Sequence, residues 1–194
     1  MNRPLLHRYS LGLARLRDLP QITRLEAALS PQPLNLVQLV RFYFSSQVFF
    51  LTARLERQVL GYIGFQVMGP IAHIITAGVH PRMGHRGLAA DLHRAAERVA
   101  LYCDARYFLG EVRVSDQEGL RLLAGMGWRQ LGVCRRFFAD GEDGVVMLNW
   151  LSPGLHAPGG QDGAPRRQAH PVGGRDDGGE GQLDGHRQEH GADP

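Results

Sequence analysis

Between Ile71 and Val114 the chain reads as an apolar run, a basic turn with glycines, an amphipathic stretch and a second apolar run. This unit constrains the fold more than any other stretch. Leu88, Leu92, Ala95, Val99 and Cys103 recur at helical spacing, which predicts an amphipathic helix of about four turns. Ile71 to Val79 and Tyr107 to Val114 read as strands on either side of it. A strand, helix and strand of these lengths form a crossover, so the two strands are expected to be parallel near neighbours.

The turn, His80-Pro81-Arg82-Met83-Gly84-His85-Arg86-Gly87, leads straight into the helix at Leu88-Ala89-Ala90. Unpaired N–H groups at a helix start, the helix dipole and a nearby arginine together suit a phosphate. Glycines between a strand and a helix also occur as turn chemistry alone. The stretch has neither GxGxxG nor a GxxxxGK[ST] loop, so the turn taken by itself leaves both readings open.

The flanking chain supplies a meander and outer helices. Leu11 to Arg17 alternates as a strand, and Asp18-Leu19-Pro20 opens a helix with an acidic cap and an early proline that runs to about Ser30. Leu34 to Phe44 reads as a second short helix. Val48 to Leu55 and Val59 to Met68 are β-rich and joined at Glu56-Arg57-Gln58 as a hairpin, and Gly69-Pro70 turns the chain into Ile71 to Val79. Downstream, Ser115 and Glu118 have capping-box spacing before a short helix that Gly127 closes in the left-handed region. Trp128 to Phe138 and Val145 to Leu151 read as two last strands.

Composition bounds the rest. From Ser152 the 194-residue chain is dominated by Gly, Pro, Asp, Arg, His and Gln, with Leu155, Val172 and Leu183 its only large apolar residues. Such a segment buries too little to offset its ordering entropy, so 1–151 is expected to be one folded domain and 152–194 a disordered tail. The tail holds a net −3 of the chain's +3, which leaves +6 on the domain, a balance suited to a polyanionic ligand. Cys103 and Cys134 form no disulfide framework, and the tail histidines lack ligand spacing, so no metal site is expected. The most apolar window, Leu34 to Leu51, is broken by Gln38, Arg41, Ser45, Ser46 and Gln47, and no membrane partner is expected. No aromatic and arginine stacking motif accompanies the basic domain, so no specific nucleic acid is expected either. A soluble, cytoplasmic protein follows as the expectation.

Three segments in order carry a family resemblance. Arg17-Asp18-Leu19-Pro20-Gln21-Ile22 through Leu25-Glu26 is the first, and Ala77-Gly78-Val79-His80-Pro81 through Gly87-Leu88-Ala89 the second. The third is Glu111-Val112-Arg113-Val114-Ser115-Asp116 through Gly125-Met126-Gly127-Trp128, followed by Arg135-Arg136-Phe137-Phe138. Together they make the chain, over about residues 11 to 151, resemble the GNAT superfamily of acetyl-CoA-dependent N-acetyltransferases, and within it the bacterial ribosomal-protein-alanine N-acetyltransferase branch.

The resemblance implies an α/β (α+β) fold: a mixed twisted sheet with an antiparallel N-terminal meander, a central parallel strand pair splayed around acetyl-CoA, and flanking helices. It implies that Ala77, Gly78 and Val79 hold the pantetheine arm, with the Val79 N–H polarising the thioester carbonyl. His85, Arg86, Gly87, Leu88, Ala89 and Ala90 match the pyrophosphate loop, Glu111 matches the general base, and Asp116 falls where the family has an asparagine that contacts the cofactor. Three positions depart from the pattern. Gly84 replaces a Gln or Arg, Asp116 the asparagine, and Leu123 the tyrosine that serves as general acid.

Acetyl transfer does not require that tyrosine. A thiol of pKa about 8.5 is a tolerable leaving group near neutral pH, and general-acid catalysis contributes ~10²–10⁴-fold. An α-amine titrates near ~8 and a lysine amine near ~10.4, which favours a protein N-terminus as acceptor. The bland reading of Glu111 is a sheet-edge carboxylate paired with Arg113 or Arg135, and His73 and His80 beside the cofactor strand read first as structural histidines. The expected function is therefore transfer of acetyl from acetyl-CoA to a primary amine, with a protein N-terminal α-amine as the leading acceptor. A small-molecule amine acceptor, and an acyl-CoA-binding module with weakened catalysis, are the alternatives; oligomeric state is left open.

Overall fold

The computed structural model describes residues 9–83 and 87–152. Gly84, His85, Arg86 and the segment expected to be a tail, from Pro153 onward, lie outside the described residues. Seven strands, β1 (Ser10–Leu13), β2 (Val48–Leu55), β3 (Gln58–Met68), β4 (Ile71–Val79), β5 (Tyr107–Arg113), β6 (Arg129–Cys134) and β7 (Gly144–Trp150), form one sheet in the order β1-β2-β3-β4-β5-β7-β6. Among the described residues only β4 and β5 pair in parallel, as the crossover through α3 (Leu88–Tyr102) requires.

The two faces are covered by different helices. On one, Leu88, Leu92 and Ala96 of α3 pack with Phe65 of β3, Phe108 of β5, Trp128 and Met147 of β7, and Leu123 of α4 (Gln117–Gly125) joins the same core. On the other, Ile22 and Leu25 of α1 (Leu19–Leu29) and Leu39 of α2 (Leu36–Tyr43) pack on Phe50 and Tyr62. Each large apolar side chain sealed in this way stabilises the fold by about 1.5–3 kcal/mol.

Several local signals are overridden by distant partners. The first strand ends at Leu13, and a 3-10 turn, Leu16–Asp18, replaces its second half. Asp18 precedes α1 but makes no side-chain cap; its carboxylate accepts from the Arg15 N–H and from Arg54 Nη1, both at 2.8 Å. The Ser115 capping box also fails to form. Asp116 caps α4 instead by accepting from the Gly119 N–H at 2.9 Å, and the Ser115 N–H donates to Glu142 at 2.9 Å. β6 stops at Cys134, four residues before the expected Phe138, because Arg136 turns into the left-handed region at φ 50°. Gly127, at φ 90°, follows α4 as expected.

Candidate active site

The site is set by where two strands part. The β4–β5 ladder holds Ile71↔Tyr107, Ala72↔Phe108 and His73↔Leu109, and ends there. Beyond it β4 continues to Val79 against β3, while β5 continues to Arg113 against β7. A bulge drives the divergence: Gly64 of β3 pairs with Thr76 and Phe65 with Ile74, so Ile75 is the extra residue and β4 bends. Past Leu109, Gly110 leaves room for Ile74, whose Cδ1 would stand 3.1 Å from a Cβ built on that glycine.

The gap opens into a cleft of about 550 Å³. Glu111 lines it from β5 and His73 from β4, and His73 Nε2 meets Glu111 Oε2 at 2.7 Å. The Glu111 side chain is 12% exposed and that of His73 30%. The hydrogen bond to Glu111 holds the His73 imidazole above its ordinary range, a shift that burial opposes. Among the described residues the carboxylate is thus paired with His73, and not with Arg113 or Arg135. Arg113 is occupied elsewhere: its Nη1 donates to Asp140 at 2.8 Å and Glu142 at 2.7 Å, and its guanidinium lies 4.0 Å over the Phe138 ring. Hydrogen bonds from Ser115 and Arg113 push the Glu142 carboxyl down to about 2. The loop between β6 and β7 is held in this way beside the cleft, where Phe137 and Phe138 line the wall.

A second polar cluster fixes the α1 side. Glu26 is 1% exposed and accepts from the Tyr62 hydroxyl at 2.7 Å, the Leu34 N–H at 3.1 Å and the Thr76 hydroxyl. Burial and the Glu26 charge raise the Tyr62 pKa, so that phenol stays protonated as a donor. Gly78 makes the arrangement possible, since a Cβ there would stand 2.7 Å from the Tyr62 hydroxyl and 2.8 Å from Leu29 Cδ1. The chain after α1 then reaches across, with the Gln32 carboxamide against the Ala139 N–H.

The other residues expected at the site distribute as follows. Ala77 lines the cleft, and Gly78 and Val79 continue β4 past the point where β5 departs. Gly87 takes the left-handed conformation, φ 74°, at the start of α3, and as the N-cap it brings no side chain to the first turn at Leu88, Ala89 and Ala90. Asp116 also lines the cleft, with one carboxylate oxygen committed to its cap. Leu123 is 4% exposed and lines the inner wall. His85 and Arg86 fall outside the described residues.

The sequence reading passed over His93, which lines the cleft from α3 and is 8% exposed. Its only signal was a titratable ring set between the buried positions Leu92 and Ala96. Glu26 and Tyr62 were also missed as a pair, being 36 residues apart.

The model of the acetyltransferase (GNAT) family matches residues 15–128. An N-alpha-acetyltransferase of Sulfurisphaera tokodaii is 26% identical over 153 residues, which covers 72% of this chain and 91% of that protein. Among solved structures, the ribosomal-protein-S18-alanine N-acetyltransferase of Escherichia coli has a TM-score of 0.68 at 17% identity, covering 78% of this chain and 99% of the other. Arabidopsis thaliana NAA60 in complex with acetyl-CoA has a TM-score of 0.68 at 13% identity, covering 74% and 99%. These last two likenesses show a shared fold.

Proposed function

The chain belongs to the acetyltransferase (GNAT) family and is an N-acetyltransferase; from that premise we propose that it moves acetyl from acetyl-CoA to the α-amine at a protein N-terminus. The observation that carries this reading is the parting of β4 from β5 with Glu111 and His73 at its base. Past the last rung, β4 offers backbone groups that β5 does not take, which suits the amide-bearing arm of the donor. The first turn of α3, entered through Gly87, suits its pyrophosphate.

Acetyl-CoA, when bound, supplies an activated acetyl group on a sulfur leaving group. Ala77, Gly78 and Val79 hold the arm, and the Val79 N–H polarises the carbonyl. The N–H groups of Gly87, Leu88, Ala89 and Ala90, with His85 and Arg86, would hold the pyrophosphate, and Asp116, at the cap of α4, would contact the donor. Glu111 takes the proton of the entering amine, directly or through one water. An α-amine, titrating near ~8, gives that proton up far more readily than a lysine at ~10.4, and this favours an N-terminus as acceptor. The chain after α1 and the loop between β6 and β7 flank the acceptor's entry, the latter with two phenylalanine rings and the acidic pair Asp140 and Glu142.

Among the described residues no helix is long and apolar enough to cross a membrane. Cys103 and Cys134 are free thiols, in keeping with a reducing cytoplasm. A calorimetric titration with acetyl-CoA, followed by mass spectrometry of a panel of N-terminal peptides, lysine-bearing peptides and small amines, tests the proposal. Saturable binding with acetylation of α-amines is expected. Acetylation confined to small amines overturns the acceptor, and absence of binding overturns the donor.

A further inference from the structure

The sheet face that carries Glu111 and His73 also carries a row of apolar side chains. Phe108 and Ala72 are buried in the α3 core, so their strand neighbours Tyr107, Leu109, Ile71 and His73 stand on the opposite face, with Glu111 two residues beyond Leu109. On that face the register sets Met68, Ile71, Tyr107 and Trp150 side by side across β3, β4, β5 and β7. Met68, Ile71 and Trp150 are exposed and Tyr107 is half-buried. The helices α1 and α2 cover the face over Phe50, Tyr62 and Ile75, and the row lies outside that cluster.

We propose that this row is a subsite for an apolar side chain at about the fourth or fifth residue of the acceptor, which is then an extended polypeptide and not a small amine. This rests on the N-terminal acetylation reading above and adds a preference in the acceptor's sequence. Apolar side chains scattered singly on a surface are ordinary, whereas a contiguous exposed row marks a contact. Distance and charge say which contact. Tyr107 precedes Glu111 by four residues of β5, about 13 Å at ~3.3 Å per residue. An acceptor chain in extended form advances by the same ~3.3 Å, so with its amine at Glu111 its fourth or fifth residue reaches the row. The way between is open. His73 lies in the intervening row with Leu109 and Leu148, and its side chain is 30% exposed.

Charge fixes the direction in which the acceptor lies. The Glu111 carboxylate attracts the amine end, and the four side chains of the row carry no charge, so the far end of the bound segment is apolar. Trp150 is braced for this contact, because the Arg129 guanidinium lies 5.5 Å over its ring. Aromatic side chains held in this way dominate recognition surfaces, since they bring large contact area at little cost in side-chain freedom.

The test uses the full chain and synthetic acceptor peptides that share their first three residues. Seven-residue peptides carry leucine or serine at positions four and five, and a three-residue peptide stops short of the row. Each is assayed at saturating acetyl-CoA with wild type, Ile71→Thr and Trp150→Thr, both of which keep a strand-forming residue at an exposed position. Wild type is expected to prefer the leucine peptide by about tenfold in kcat/KM, through KM, the worth of one apolar side chain partly buried on binding. In each variant the preference should fall to about threefold or less, while the three-residue peptide is acetylated at the same rate by all three proteins. Equal kcat/KM for the two long peptides in wild type, or a preference that both variants retain, overturns the inference. A dimer in sedimentation velocity that Trp150→Thr splits gives the face to a second copy, and a preference seen only after removal of residues 153–194 gives it to that segment; either result also overturns it. If no peptide is acetylated while small amines are, the acceptor reading fails first; if the three-residue peptide is acetylated and positions four and five make no difference, only this inference fails.

Discussion

Replacing Glu111 with Gln keeps the shape of the cleft and removes the charge that stabilises the His73 imidazolium, so the consequence for pH is specific. The two groups meet at 2.7 Å with side chains 30% and 12% exposed. Unit charges ~4 Å apart are worth about 4 kcal/mol at an effective dielectric of 20 and about 1 in water. With His73 partly solvated and its burial opposing the charge, the net term is about 1–2 kcal/mol. The sign follows from the raised folded-state pKa. The stabilisation is complete below the unfolded histidine value of about 6.5, and it is lost as pH rises through the folded pKa of His73. Wild type should therefore exceed Glu111→Gln in stability by about 1–2 kcal/mol near pH 6, with the gap narrowing by pH 9, where the imidazole is neutral and only its hydrogen bond to the carboxylate remains. Urea unfolding at the two pH values measures the gap, and NMR titration of His73 measures its cause. A gap that does not change with pH, or a His73 that titrates at or below its ordinary value in wild type, refutes the reasoning.

Two further substitutions test the buried cluster that holds α1 against β4. Tyr62→Phe removes a 2.7 Å hydrogen bond to the buried Glu26 carboxylate, so a loss of about 1.5–3 kcal/mol is expected in urea or thermal unfolding. Gly78→Ala places a methyl against the Tyr62 hydroxyl and Leu29, for an expected cost of about 1–3 kcal/mol. Because the obstructing oxygen is gone in Tyr62→Phe, the two changes should cost less together than their sum, and strict additivity in a double-mutant cycle contradicts the contact.

The crossover was legible because its information is local: helical spacing from Leu88 to Cys103 between two apolar runs leaves few ways to connect them. Local signals failed where a group from elsewhere claimed the same atoms. Arg54 claims the Asp18 carboxylate from β2, and Glu142 claims the Ser115 N–H from the loop after β6. The site shows the same division. Glu111 was placed by the resemblance, and the structure sets it in the cleft. Its partner, however, lies 38 residues away on β4, and the nearby Arg113 is drawn to Asp140 and Glu142. His93 was invisible for another reason: a histidine in an amphipathic helix has no sequence mark that distinguishes a solvated ring from one facing a cleft.

The central claim is that Glu111 takes the proton of an acceptor α-amine beside acetyl-CoA. Steady-state acetylation of an N-terminal peptide by wild type and Glu111→Gln, with the acetyl-CoA affinity of each measured by calorimetry, tests it most directly. The expected result is a fall in kcat of about 10²–10⁴-fold with the donor affinity unchanged. Equal turnover in the two proteins, at equal donor affinity, would contradict it.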